Sequence, residues 1–132
     1  MMKCSKPLLL ISLSGLLLVN SVLYAAGVKK TIHFAPGKDN ITLSGSVVRS
    51  DSDIYYVTAS RNQTMNVSVS SLEDNAVFQI YLPDAHKTLA QAGELDDATQ
   101  WSGKLPIDGR YQIWVGGTRG NASYKLTVKI TH

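Results

Sequence analysis

Acyl-transfer chemistry needs a serine or cysteine held beside a base. The 132-residue chain has one cysteine, Cys4, and three histidines, His33, His86 and His132. None of the histidines stands near a G-x-S-x-G turn, and His33, next to Phe34 at a strand end, reads as structural. Two carboxylate pairs, Glu73–Asp74 and Asp96–Asp97, are adjacent in sequence. Neighbours on a strand point to opposite faces, so neither pair forms an acid–base dyad. The side chains therefore argue against an enzyme. Asp51-x-Asp53 and Glu73-Asp74-Asn75 offer oxygens that Ca²⁺ could use, but the same residue types build ordinary turns. With no twelve-residue calcium loop and no zinc-type His/Cys spacing, neither metal nor cofactor is expected. Four N-x-S/T sequons, at Asn40, Asn62, Asn66 and Asn121, matter only in a host that glycosylates exported proteins.

Recognition chemistry is better represented, between Trp101 and Tyr124. Asp108-Gly109-Arg110-Tyr111 reads as a tight turn feeding a strand, and Gly116 to Asn121 reads as a glycine-rich hairpin tip carrying Thr118 and Arg119. Glycine permits sharp protrusion, and a guanidinium can fork onto a carboxylate. Trp114 shares the wet face of its strand with Gln112. An exposed tryptophan near a protruding arginine has the character of a protein-binding hot spot. The candidate partner-binding set is therefore Asp108, Gly109, Arg110, Tyr111, Trp114, Thr118 and Arg119. Two structural readings stay open: a loop covering Trp114, and Tyr111 as a corner tyrosine bonding upstream backbone.

The elements that position these residues follow a period of two. Met65, Val67 and Val69 alternate with Asn66, Ser68 and Ser70. Tyr111, Ile113 and Val115 alternate with Gln112 and Trp114. Tyr124, Leu126, Val128 and Ile130 alternate with Lys125, Thr127 and Lys129. The apolar members are expected inside and the polar ones outside. Ile41–Val48, Asp53–Ala59, Ala76–Leu82 and Gln100–Leu105 are further β-rich runs. Turn signals separate them: Pro36-Gly37, Asp51-Ser52-Asp53, Arg61-Asn62, Pro83-Asp84, Asp108-Gly109 and Gly116-Gly117. His86 to Gly93 is the one short stretch with any helical character. The expected fold is all-β, a single antiparallel β-sandwich of about 7–9 short strands.

The N-terminal segment has a different grammar. Lys3 and Lys6 precede an apolar run from Leu8 to Val19, and small residues follow at Ala25, Ala26 and Gly27. This is the layout of a secretory signal peptide over residues 1–26, leaving a secreted domain over 27–132. The apolar run is short for a membrane span, so no stable membrane anchor is expected after cleavage. Cys4 leaves with the leader, and the mature chain folds without disulfides in the periplasm or beyond. Lys3 and Lys6 leave as well, which lowers the formal charge of +3 to about +1. A near-neutral domain without a Lys/Arg cluster has no footprint for nucleic acid.

The spaced positions Ile32-x-Phe34, Gly37, Ser44-Gly45, Asp53-Ile54-Tyr55, Ala59 with Gln63, Met65 to Ser70, Gly109-x-Tyr111, Thr118-Arg119 and Tyr124 to Ile130 resemble periplasmic inhibitors of g-type and i-type lysozyme. The framework also resembles bacterial pre-peptidase C-terminal domains. The first resemblance implies a lysozyme partner, g-type before i-type, whose cleft is plugged by hairpin loops. It places Gly109, Tyr111 and Arg119 at the plug, with Asp108 where the family carries serine. A lysozyme cleft holds catalytic carboxylates, so Asp108 needs compensation from Arg110 or Arg119. The second resemblance implies a non-catalytic module that binds protein or glycan. The two imply different geometry: a plug needs the Asp108 and Arg119 loops at the same end of the sandwich, and a generic module does not.

Overall fold

The structure, a computed structural model, describes residues 27–132. The expected signal peptide, including Cys4, lies outside the described residues. Eight strands follow in chain order: β1 (Lys29–Thr31), β2 (Asn40–Val47), β3 (Ser52–Ala59), β4 (Thr64–Ser71), β5 (Ala76–Tyr81), β6 (Gln100–Lys104), β7 (Gly109–Gly117) and β8 (Ala122–Thr131). They form two four-stranded sheets, ordered β1-β3-β7-β5 and β2-β8-β4-β6. The all-β sandwich expected from the alternation is the observed fold.

Alternation decides which atoms fill the space between the sheets. Val67, Val69, Ile113, Val115, Leu126 and Val128 are all buried, while Ser68, Gln112, Thr127 and Lys129 face outward. Tyr111, Phe78, Met65 and Ile80 complete the centre of the core. The register is continuous: β8 pairs with β2 from Asn40↔Lys129 to Val47↔Ala122, and with β4 from Thr64↔Thr131 to Ser71↔Tyr124. A slip by one residue would invert every face.

Three features depart from the local reading. The chain begins the first sheet with β1, whose Lys29–Thr31 pair in parallel with Ile54–Tyr56 of β3. Three exposed residues carry no alternation that could announce a strand. The segment after β5 is not helical. Residues 83–99 return along the outer edge of β5, bonding through Leu89 N to Ile80 O and Phe78 N to Ala98 O, 2.9 Å each. This covers an edge that would otherwise offer unpaired backbone. Finally, the turn expected at Asp51-Ser52-Asp53 falls earlier, at Arg49-Ser50, with Ser50 at φ 71°. Asp53 is a strand residue on the inward face and is 1% exposed.

Candidate functional site

β7 carries both glycine-flanked segments, one at each end. Gly109 pairs with Ala59 at the end of β3, whereas Gly116 pairs with Ser52 at its start. Nine extended residues span roughly 26 Å, so the Asp108 turn and the Arg119 tip lie at opposite ends of the sandwich. The shared end that a two-loop plug requires is not formed. Local spacing could not reveal this, because a strand of any length separates its flanking turns along the sheet.

The Asp108 end is a rigid, cross-braced loop. Residues 105–108 join β6 to β7 and lie against the β3–β4 turn. Asn62 N donates to Leu105 O, and Leu105 N to Gln63 O, both at 2.8 Å. Arg61 N donates to Asp108 Oδ1 at 2.7 Å. Asp108 is therefore committed to backbone through one carboxylate oxygen. The Tyr111 hydroxyl donates to Ile107 O at 2.6 Å and accepts from Ile107 N at 3.3 Å. Tyr111 is fully buried, and burial pushes its hydroxyl above the usual tyrosine range. The corner-tyrosine reading holds: Tyr111 shapes the loop from beneath and offers no contact surface. Gly109 sits at φ 144°, where an added Cβ would lie 2.7 Å from the Pro83 ring, so no other residue fits the turn.

The surface at this end is formed by Ile107, Asp108, Arg110 and Arg61, all exposed. Ile107 is an outward apolar side chain at 42% exposure. The Arg110 guanidinium lies 4.0 Å from the centroid of the Tyr56 ring, which holds it against the sheet. Two arginines against one aspartate leave the end with a net positive charge. Arg61 and Ile107 were not singled out from the sequence. Arg61 lies 47 residues from Asp108, and no local pattern links the two turns.

The Arg119 end is tied down from outside. Asn75, buried in the β4–β5 turn, donates through Nδ2 to Asn121 O at 2.9 Å and to Arg119 O at 3.3 Å. Its carbonyl accepts from Thr118 N at 2.9 Å. The Arg119 guanidinium donates to Glu73 O at 2.6 Å. Arg119 is exposed but engaged, and does not stand free at a tip. Leu72 in the same turn is 100% exposed. Trp114 lies on the outer face of the first sheet, half-buried, with its ring centroid 5.1 Å from that of Tyr81 and Nε1 bonded to Gln112 at 2.9 Å. It belongs to neither end.

Among the described residues no three His, Cys, Asp or Glu side chains gather closely enough to share an ion. Asp53 is withdrawn from the Asp51-x-Asp53 oxygen pair, because its carboxylate accepts from the Tyr124 hydroxyl inside the sandwich.

No protein-family model matches the chain, and no curated protein sequence matches it. Solved structures do. The fold is similar to a periplasmic inhibitor of g-type lysozyme from Aeromonas hydrophila, with a TM-score of 0.67 and 29% identity over 81% of this chain and 100% of that one. A mutant of the Escherichia coli inhibitor of g-type lysozyme aligns with a TM-score of 0.64 and 24% identity, over 80% and 99%. The pre-peptidase C-terminal domain of a Bacillus anthracis collagenase aligns with a TM-score of 0.57 and 19% identity, over 78% and 96%. At the latter two identities the likeness is one of fold. Both structural families to which the sequence bears resemblance are thus among its structural neighbours.

Proposed function

We propose that this chain is a non-catalytic periplasmic inhibitor of lysozyme, g-type in preference to i-type, and that the Asp108 end alone is its plug, a single loop in place of the two converging loops that the resemblance implied. The observation that carries the reading is the braced loop at 105–110. The loop is held to the β3–β4 turn by two backbone hydrogen bonds and one accepted by the Asp108 carboxylate, and by two more to a buried tyrosine hydroxyl. A loop ordered before binding loses little entropy on entering a cleft. Arg110 and Arg61 flank it and supply the positive charge that a cleft with catalytic carboxylates attracts. The similarity to the Aeromonas inhibitor over its full length supports the same reading. Asp108, Gly109 and Arg110 make up the inserted turn, with Tyr111 as its internal support. The leader over 1–26 directs export and is removed, and the mature chain stays soluble in the periplasm.

A second reading rests on the opposed loops. A binding module for protein or glycan, like the pre-peptidase domains, needs no convergence of the two turns. In that reading Thr118, Arg119 and Trp114 contact the partner. The discriminating experiment is a turbidity assay of cell-wall lysis by g-, i- and c-type lysozymes with the purified mature protein. Inhibition of g-type enzyme at micromolar concentration or below, lost in Arg110→Ala and kept in Arg119→Ala, supports the plug at the Asp108 end. Full lysozyme activity in all three assays removes the inhibitor reading and leaves the binding module.

A further inference from the structure

Asp53 is a carboxylate on the inward face of a core strand, and neither end of the molecule uses it. Tyr124 donates its hydroxyl to Asp53 Oδ2 at 2.5 Å. That uses the only proton on the Tyr124 oxygen, so in the 2.6 Å contact between the two hydroxyls Tyr55 is the donor. Val28 N donates to Oδ1 at 2.9 Å. Among the described residues these partners are uncharged, and no Lys, Arg or His side chain hydrogen-bonds to the group. A carboxylate that is 1% exposed is costly without a counter-charge.

The chain just before Val28 is where a counter-charge can arise. At Gly27 the backbone passes directly against Asp53. A Cβ added there would lie 2.0 Å from Ser52 O and 3.0 Å from Asp53 Oδ1, so glycine alone fits. The Gly27 nitrogen is bonded to the same Cα as that Cβ position, which places it within about 5.5 Å of Oδ1. In the unprocessed chain this nitrogen is a neutral amide. Hydrolysis of the Ala26–Gly27 bond consumes one water, leaves a carboxylate on Ala26 and makes the Gly27 nitrogen a primary ammonium.

We infer that removal of the leader creates an α-ammonium that pairs with buried Asp53, so that export processing completes the folded core. The inference rests on the proposed leader and is independent of the lysozyme reading. The precursor holds an uncompensated buried carboxylate and is the less stable form. The mature chain is locked at the β1–β3 edge by its own terminus.

The test uses the full-length chain, expressed, exported and purified as processed. Mass spectrometry identifies the first residue. Gly27 or Val28 places the ammonium at Asp53, and any upstream start overturns the inference. Thermal midpoints are then compared for the processed protein and for the same protein with its α-amine converted to a carbonyl by transamination, in the wild type and in Asp53→Asn. Loss of the amine should lower the wild-type midpoint by roughly 4–8 °C or more and leave Asp53→Asn unchanged. Equal wild-type midpoints overturn the pair. Should Asp53→Asn fail to fold, acylation of the wild-type terminus at neutral pH decides. A rate at least about tenfold below that of an unstructured Gly-Val-Lys peptide supports pairing, and a peptide-like rate overturns it.

Discussion

The two ends of β7 carry similar sequences, a glycine-bearing turn with one arginine, and the fold treats them differently. At the Asp108 end the turn is supported from inside by the hydroxyl of Tyr111, a residue of the same strand. Its arginine side chains remain at the surface. At the Arg119 end the turn is clasped from outside by Asn75, and the guanidinium is spent on the Glu73 carbonyl. Internal support frees the outer face of a loop for a partner, whereas external clasping consumes it. Glycine content alone does not distinguish the two.

The contrast can be broken most forcefully at Tyr111. Tyr111→Ala should cost about 3–5 kcal/mol of folding stability, as expected for truncating a buried aromatic, and should abolish inhibition, both read by denaturant titration and the lysis assay. Arg110→Ala comes next, with inhibition weakened by about 2–5 kcal/mol, the range for a desolvated charged contact, and an unchanged melting midpoint. Asn75→Ala should lower stability by about 1–3 kcal/mol, because the carbonyls of Arg119 and Asn121 lose the side-chain amide that bonds them. Inhibition should persist, and a parallel loss would place the binding surface at the wrong end. Tyr111→Phe isolates the internal support. It keeps the ring and removes about 1 kcal/mol of hydrogen bonding, loosening the loop so that inhibition falls more than stability. Arg119→Ala should change either measurement by less than about 0.5 kcal/mol, as for an exposed substitution. An effect of 2 kcal/mol or more on binding would move the plug to the other end.

The sequence was enough to determine the sandwich and its faces. Val67, Val69, Ile113, Val115, Leu126 and Val128 are inside as their alternation requires, because side chains on a strand can only point two ways. It also marked both turns of β7 and left open whether Tyr111 was a contact or a corner. Tertiary structure made that choice and three others. It buried Asp53, which by residue type belongs in a turn, because Tyr55 and Tyr124 from the two sheets meet it there. It bound Arg119 to Glu73 across 46 residues and Arg61 to Asp108 across 47. It sent the two candidate loops to opposite ends, because the alternation that makes β7 a strand also makes it a rod about 26 Å long. Periodicity is a local property and survives in one dimension, whereas which turn meets which depends on the order in which strands pair.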